Sequence, residues 1–262
     1  MATLYNRLRA INFQIQSFLG LEKQDNNENF ELIKEWDFTQ IGLEELRKDF
    51  RFTPPWGEKV NKVASCKYNE SNINLTSEGI GFWNSVNPGE DKEETPYIAG
   101  ALVTRKLTNL PAFGKIEALI EIPRYKGQWP ALWTTDEVAA MPEFDVFEFI
   151  WPSWKGEATM AGNVHYGTSY NSEKWKFDNS SWLGISGKTW DKPIKFSVEF
   201  YPHETLYKVN NYVVYKTTRG YSPNNKVVWL NGGTYNRGGG PIGEGPWLSL
   251  KAKYLKFYKL KE

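Results

Sequence analysis

The sequence predicts an all-β protein in which two sheets pack as a sandwich. Short apolar runs that alternate with polar residues recur through most of the 262-residue chain, and this alternation is typical of half-buried strands. Clusters of turn-forming residues separate the runs, among them Asn87-Pro88-Gly89 and Asn210-Asn211. Many short strands joined by such turns are typical of a sandwich.

Size, charge and cysteine content narrow the class of protein further. A chain of 262 residues fits one large all-β domain, and no linker rich in Pro, Gly or Ser divides it. The net charge is +1, so we expect neither a nucleic-acid nor a membrane partner. No apolar run approaches the roughly 18 residues of a membrane-spanning helix. Cys66 is the only cysteine, which excludes a disulfide within the chain.

The N-terminal segment is predicted to be a helical extension with a polar connector, residues 1–30, ahead of a sandwich domain at 31–262. Apolar residues recur at spacings of four and three, as on one face of a helix: Leu4, Leu8, Ile11 and Ile15. Two interpretations stay open: the helix packs on its own domain, or residues 1–20 mediate oligomerisation. Asn and Gln interrupt the apolar residues and no small-residue cleavage site follows, so we do not interpret this segment as a signal peptide.

From residue 33 onward the periodicity becomes that of strands. In the clearest one, Ile116, Ala118 and Ile120 alternate with Lys115 and Glu117, which predicts a half-buried strand. Similar runs predict strands at 97–105, 162–166, 194–200, 212–216, 226–230 and 248–258.

One predicted strand carries three carboxylates, Glu143, Asp145 and Glu148. Simple alternation puts the first two on one face and Glu148 on the other. A β-bulge at Val146 or Phe147 would bring all three onto one surface, and bulges are frequent beside active sites. Two Glu residues flanking a sugar can act as nucleophile and acid/base of a retaining glycosidase, with the Asp separating their pKa values. On spacing alone, a half-exposed strand with ordinary acidic residues on its solvent-exposed face explains the three acids equally well.

Three segments in order resemble the glycoside hydrolase family 16 endo-glycanases. The carboxylate strand resembles the bulged Glu-x-Asp-x-x-Glu signature of that family. Residues 127–133 resemble its Gly-x-Trp-Pro-Ala-x-Trp segment, and 163–167 resemble its Val-His-Tyr segment. The resemblance covers about residues 33–260. It implies a jelly-roll sandwich of the concanavalin A-like lectin/glucanase type, with two curved antiparallel sheets.

The resemblance also implies an activity: retaining endo-hydrolysis of a β-linked polysaccharide outside the cell. Glu143 would be the nucleophile, Glu148 the acid/base and Asp145 their assistant. The first expected substrate is a laminarin-like β-1,3-glucan, and the alternative is a marine-type galactan such as agar or carrageenan. No His, Cys and Asp cluster has catalytic-metal spacing along the sequence, so no cofactor is expected to be required. A structural calcium ion on backbone oxygens is an expectation from the resemblance alone.

Aromatic residues and one histidine are candidates for binding sugar. Trp129 and Trp133 are expected to point to one face of their strand and to form the floor or wall of the central sugar subsites; core packing is the alternative. His165, on a strand expected beside the carboxylates, can bond the sugar or tune a carboxyl, and a structural histidine is the alternative. Three further tryptophans, on predicted loops, are candidates for outer subsites: Trp151, Trp154 and Trp175.

Two non-enzymatic functions stay open at this stage. A carbohydrate-binding module or lectin can use the same sandwich without cleaving the sugar, because a fold does not decide function. A structural or host-recognition protein could assemble through its N-terminal helix and adhere through the cleft. The intact set of three carboxylates favours the enzyme.

Overall fold

Two β-sheets pack face to face around one apolar core, which confirms the predicted all-β sandwich. The computed structural model describes residues 27–54, 66–89, 95–123, 125–150, 159–166, 171–178, 192–234 and 245–262, with only the backbone at 159, 161 and 171–178. The predicted N-terminal helix lies outside the described residues. The division at residues 1–30 and 31–262 therefore stays a prediction.

The larger sheet contains ten strands, numbered here along the chain: β1 (Phe30–Asp37), β3 (Cys66–Tyr68), β4 (Ile73–Thr76), β5 (Gly79–Val86), β6 (Tyr97–Ala99), β8 (Gly114–Glu121), β13 (Ile194–Phe200), β14 (Thr205–Val209), β15 (Tyr212–Thr217) and β17 (Trp247–Leu260). Their order is β15-β14-β13-β8-β17-β5-β6-β3, with β1 paired to β17 and β4 paired to β5.

The smaller sheet contains seven strands: β2 (Phe50–Arg51), β7 (Ala101–Thr104), β9 (Ala131–Asp136), β10 (Glu143–Ile150), β11 (Thr159–Tyr166), β12 (Asn171–Asp178) and β16 (Lys226–Asn231). Their order is β12-β11-β10-β9-β16-β7-β2. The carboxylate strand β10 therefore lies inside the sheet, between β9 and β11.

The pairing of strands departs from the expected antiparallel sheets at one place. β3 and β6 run parallel, with Cys66 opposite Tyr97 and Tyr68 opposite Ala99, whereas the other described pairs are antiparallel. Cys66 is fully buried there, and burial raises the pKa of its thiol to about 11. A parallel pair requires a longer connection than a hairpin, which residue alternation does not reveal.

Within the described ranges, one short α-helix interrupts the strands, and it was not predicted from the sequence. Helix α1 spans Leu43–Asp49 and buries Leu46, with acidic residues in its first turn and basic residues in its last. That charge order complements the helix dipole. A helix of seven residues is too short to show a full apolar periodicity. No helix in the described ranges is long and apolar enough to cross a membrane.

The hairpin between β14 and β15 confirms one predicted turn. Asn210 and Asn211 both have positive φ angles, 47° and 66°, and they connect the two strands directly. Two residues with positive φ form the tight hairpin turn whose twist matches that of the strands. Asn tolerates this backbone region better than most residues do.

Strand β8 is buried on both faces, so the expectation of a half-buried strand is wrong. Ile116, Ala118 and Ile120 face the core as predicted. On the other face Lys115 is 0% exposed and Glu117 is 4% exposed. Their side chains form an ion pair of 2.8 Å, and this pairing makes the burial of two charges tolerable. The alternation of apolar and charged residues predicts the two faces of the strand, but it does not predict which residues cover the charged face.

Strand β12 occupies a segment that was expected to be a loop. It pairs with β11 along eight residues, and Trp175 lies opposite Gly162 in the register. Trp175 and Phe177 alternate there with Lys174 and Lys176, a weak period of two in a polar setting. Lysines are frequent on edge strands because they discourage pairing with another molecule, and this polarity made the strand resemble a loop.

Candidate active site

The bulge predicted in the carboxylate strand is present and aligns the three acids. Against β11 the register of β10 shifts between Asp145 and Glu148, and against β9 it shifts between Asp145 and Phe147. Val146 and Phe147 are both buried, 2% and 0% exposed, and both belong to the core. Two successive inward side chains let Glu148 return to the face that Glu143 and Asp145 occupy.

The aromatic residues of β10 fix this arrangement from the core side. The ring of Phe147 stacks on Phe196 with centroids 4.5 Å apart, and Phe144 meets Phe200 edge-on at 5.0 Å. Both partners belong to β13 of the larger sheet. Because both Phe side chains are held in the core, Asp145 between them and the flanking Glu143 and Glu148 are held on the outer face of the smaller sheet.

Strand register identifies the neighbours of the acids on that outer face. Across β11, His165 lies opposite Glu143, and Asn163 lies opposite Asp145. Across β9, Trp133 lies opposite Asp145. Residues directly opposite each other share a face of the sheet. The side chains of His165, Asn163 and Trp133 therefore surround the acids.

Glu148 is held by neutral hydrogen-bond donors. The indole Nε1 of Trp129 donates to Glu148 Oε1 at 2.9 Å. The side-chain amide of Asn163 donates to Glu148 Oε2. The two oxygens are thus fixed by two different side chains, which orients the carboxyl without neutralising its charge.

Glu143 forms a cluster with Asp145 and His165. The Nε2 atom of His165 lies 3.4 Å from Asp145 Oδ2 and 3.8 Å from Glu143 Oε1. Burial and, to a smaller extent, the charge of Asp145 raise the pKa of Glu143, His165 lowers it, and the result is a pKa of about 7. A carboxyl whose pKa is displaced by burial and by a like charge is typical of catalytic sites.

A wall of stacked tryptophans borders the acids on the β9 and β16 side. The rings of Trp133 and Trp229 stack with centroids 4.6 Å apart and planes 15° apart. The indole Nε1 of Trp133 donates to Asn231 Oδ1 at 2.8 Å. Asn231 in turn donates to the carbonyl of Gly232 at 2.6 Å, so the orientation of Trp133 is fixed by a continuous set of bonds.

The larger sheet supports the site through β11. Tyr207 of β14 is 1% exposed, and its hydroxyl donates to the backbone carbonyl of Asn163 at 2.8 Å. Gly220 has a φ of 75°, and an added Cβ there would lie 2.7 Å from Val164 and 2.9 Å from Phe144. The strands that carry Asn163 and Glu143 are therefore packed from below by close contacts.

The structure brings six of the nine residues singled out from the sequence into one site. Glu143, Asp145 and Glu148 share a surface with three of the predicted binding residues, Trp129, Trp133 and His165. Trp129 precedes β9 rather than lying within it. Trp151 and Trp154 lie outside the described residues. Trp175 lies on strand β12 and not on the expected loop. The roles of all nine stay predictions.

Three residues of the site were not predicted from the sequence: Asn163, Trp229 and Asn231. They lie opposite or beside predicted residues only after the strands are paired. A short polar residue at the start of a Val-His-Tyr segment was the available signal for Asn163, since it is two positions from His165 and so shares its face.

The described residues contain one group of His, Cys, Asp and Glu side chains that could together hold a metal ion. It consists of Glu143, Asp145 and His165, whose ligand atoms all lie within 4.8 Å of one another. No metal spacing was visible in the sequence because the ligands come from two strands. The expected calcium site on backbone oxygens stays a prediction.

Solved structures of several glucanases share this fold. SCLam, a non-specific endo-β-1,3(4)-glucanase from family GH16, gives a TM-score of 0.72 at 16% identity, over 92% of this chain and 95% of that one. The endo-β-1,3-glucanase of Pyrococcus furiosus gives 0.69 at 18%, over 89% and 95%. The laminarinase catalytic domain of Thermotoga maritima MSB8 gives 0.69 at 17%, over 89% and 100%. At these identities the likeness establishes the fold.

Sequence comparison adds nothing to this result. No protein-family model matches the chain, and no curated protein matches it. The fold is thus that of GH16 enzymes, and the activity has to be argued from the site.

Proposed function

We propose that this protein is a retaining endo-glycoside hydrolase of family 16 that cleaves internal β-linkages of a polysaccharide. The observation that carries the proposal is the bulge in β10, which puts Glu143, Asp145 and Glu148 on one surface beside two tryptophans. A half-exposed structural strand has no need of a bulge that aligns three like charges. The shared fold with GH16 glucanases supports the same conclusion.

The chemistry proceeds by double displacement. Glu148 protonates the leaving oxygen while Glu143 attacks the anomeric carbon and forms a covalent glycosyl-enzyme. Glu148, now a carboxylate, then removes a proton from water, and that water releases the sugar with its configuration retained. Asp145 touches neither reacting atom in this scheme. Its charge contributes to the raised pKa of Glu143 in the free enzyme.

Asn163 can serve Glu148 in both of its protonation states. Its amide nitrogen donates to Glu148 Oε2, which suits the carboxylate. Its Oδ1 is buried and accepts no hydrogen bond from the described residues. A half-turn of the carboxamide exchanges its two ends and presents Oδ1 as an acceptor to the protonated acid. Asn163 therefore positions the acid/base in each half of the reaction.

The first proposed substrate is a laminarin-like β-1,3-glucan. Several proteins with this fold are laminarinases or endo-β-1,3-glucanases. One SCLam structure holds 1,3-β-D-cellobiosyl-glucose at its active site. The flat face of the half-buried Trp133 suits the apolar face of a sugar ring, and Trp229, which is 4% exposed, supports Trp133 by stacking on it. A marine-type galactan is the alternative, and the same fold also occurs among O-glycanases of gut bacteria that initiate mucin breakdown.

A panel of polysaccharides tests this proposal. Purified protein is incubated with laminarin, mixed-linkage β-glucan, agar, carrageenan and mucin, and new reducing ends are measured. We expect release of oligosaccharides from at least one of them, first of all laminarin. The Glu143→Gln variant is the matched control, because it keeps the shape of the side chain and removes its nucleophilic charge.

The competing function is a carbohydrate-binding or host-recognition protein. It predicts binding to a polysaccharide without new reducing ends, with equal affinity in the protein and in Glu143→Gln. If assembly through residues 1–20 contributes, removal of these residues lowers the molar mass measured by light scattering. Cleavage by the intact chain together with its loss in Glu143→Gln would exclude a purely binding role.

A further inference from the structure

Glu143, Asp145 and His165 form a set of metal ligands at the centre of the site. Each contributes one ligand atom, and the three atoms lie within 4.8 Å of one another. Glu143 and Asp145 come from β10, and His165 comes from the neighbouring β11. Because both strands lie inside the sheet and pack on the core, the three side chains start from fixed positions.

Two of the three distances between the ligand atoms lie in or near the range for a small tetrahedral cation. Bonds of about 2.0 to 2.2 Å at tetrahedral angles place two ligand atoms about 3.3 to 3.6 Å apart. The His165 Nε2 to Asp145 Oδ2 distance is 3.4 Å, and the His165 Nε2 to Glu143 Oε1 distance is 3.8 Å. A small rotation of the Glu143 side chain, which is 26% exposed, brings the second distance into range.

The charge of the cluster also favours a cation. Two carboxylates meet there, and in the part of the chain that the structure describes no Lys or Arg forms an ion pair with either of them. The side chain of Asp145 is 6% exposed, so water screens its charge poorly. A divalent ion would neutralise both carboxylates in one step.

The ligand types select the class of metal. An imidazole combined with carboxylates suits Zn²⁺ or Cu²⁺, whereas Mg²⁺ and Ca²⁺ prefer oxygen ligands in larger numbers. We propose that Glu143, Asp145 and His165 form a binding site for Zn²⁺ or a similar transition-metal ion, and that the ion occupies the place of the substrate. If the proposed glycosidase function is correct, the ion inhibits reversibly, because it ties up the nucleophile. The metal site itself does not depend on that function.

Titration with zinc tests the proposal without any substrate. The protein is treated with a chelator and dialysed, and Zn²⁺ is then added in calorimetry and in thermal melts, with Mg²⁺ as the comparison ion. We expect one equivalent of zinc to bind and, at a concentration about 100-fold above Kd, to raise Tm by roughly 5 °C. Mg²⁺ at the same concentration should leave Tm unchanged.

The chain offers a matched pair of histidine variants. His165 and His203 are its only histidines, and His203 lies on an exposed turn. His165→Gln should weaken zinc binding by at least about tenfold, while His203→Gln should bind as the unmodified protein does. Melts without zinc establish that both variants are folded. Cys66 is fully buried and does not compete as a ligand in the folded state.

The outcomes separate the metal site from the enzyme. Absence of zinc binding, or equal binding by His165→Gln, would overturn the metal site whatever the activity. Zinc binding by a protein that cleaves no polysaccharide would keep the site and defeat the proposed function. If both hold, zinc should inhibit cleavage in competition with substrate, and chelator should restore the full rate.

Discussion

The outer faces of the two sheets both carry acidic residues, but different kinds of side chain contact these residues on the two faces. On the ten-stranded sheet, Glu117 pairs with Lys115 at 2.8 Å and accepts a hydrogen bond from Tyr254 at 3.0 Å. Glu121 pairs with Lys251 at 3.2 Å and with Lys253 at 3.5 Å. Both of these acids therefore have a cation beside them.

On the seven-stranded sheet, the acids of β10 are held by neutral donors and a histidine. Glu148 accepts hydrogen bonds from Trp129 and Asn163. The imidazole of His165 lies within 3.8 Å of the carboxylates of Glu143 and Asp145. Without a cation beside it, a part-buried carboxyl keeps its proton to higher pH, as Glu143 does. The Glu117 carboxyl beside Lys115 serves structure, whereas the raised pKa of Glu143 is typical of a catalytic site, so the contrast separates a structural surface from a chemical one.

Removing a charge from each face should give the largest difference in activity. Glu143→Gln and Glu148→Gln should each lower kcat at least about 1,000-fold, because each removes a group that reacts with the sugar. Their Tm should hold or rise, since a like charge is removed from the cluster. Glu121→Gln on the other sheet is the control and should keep full activity. Normal rates in either β10 variant would remove these residues from the mechanism.

Loss of a cation from the ten-stranded sheet should lower the stability of the protein and leave its activity unchanged. Lys115→Met leaves Glu117 buried without its cation and should lower the free energy of unfolding by about 3 to 5 kcal/mol. At a temperature where the variant is folded, its kcat should equal that of the unmodified protein. Urea unfolding followed by tryptophan fluorescence measures the first quantity, and reducing-end release measures the second. A stable variant, or a folded one with lowered kcat, would contradict the assignment of Lys115 to a structural role.

The charge of Asp145 should be visible in the pH profile. Glu143 must lose its proton to attack, so kcat/KM should rise with pH around the Glu143 pKa of about 7. Asp145→Asn removes a charge that raises this pKa, so the rising limb should move to lower pH while the maximal rate falls about 10- to 100-fold. The apparent pKa values of the pH profile belong to the coupled cluster of carboxylates and not to single residues. An unmoved limb would make Asp145 a structural residue.

Asn163 should have the smallest effect of the residues around the acids. Asn163→Ala removes the side-chain donor to Glu148, and the Tyr207 bond to the Asn163 backbone carbonyl stays in place. Loss of one hydrogen bond to a charged group should lower kcat and kcat/KM together by roughly tenfold. A rise in KM at constant kcat would instead mean that Asn163 binds sugar and does not position the acid.

Short sequence patterns predicted those features of the structure that depend on a few neighbouring residues. The bulge followed from three acids and two consecutive apolar residues, and the Asn210-Asn211 turn followed from side chains that tolerate positive φ. Strand β12 was missed because its alternation is carried by Trp175 and Phe177 among lysines. The sequence therefore predicted inward and outward faces, but not which polar segment joins a sheet.

The remaining features depend on which strands become neighbours. Trp229 enters the site because β16 pairs with β9 and sets it opposite Trp133. Lys115 is buried because residues of β17 and Asn27 cover β8; Tyr254 and Tyr258 lie against its ion pair. Such contacts join residues far apart along the chain, 88 positions for Lys115 and Asn27 and 137 positions for Glu117 and Tyr254, and no short window of the sequence contains both partners.

The stereochemistry of the first product tests the central claim most directly. The protein is mixed with laminarin, and proton NMR records the anomeric signals of the new reducing ends before mutarotation. If Glu143 and Glu148 act on one face of the sheet as nucleophile and acid/base, the β-anomer appears first and the α-anomer grows in later. Early appearance of the α-anomer from the cleaved chain would contradict double displacement by these two carboxylates.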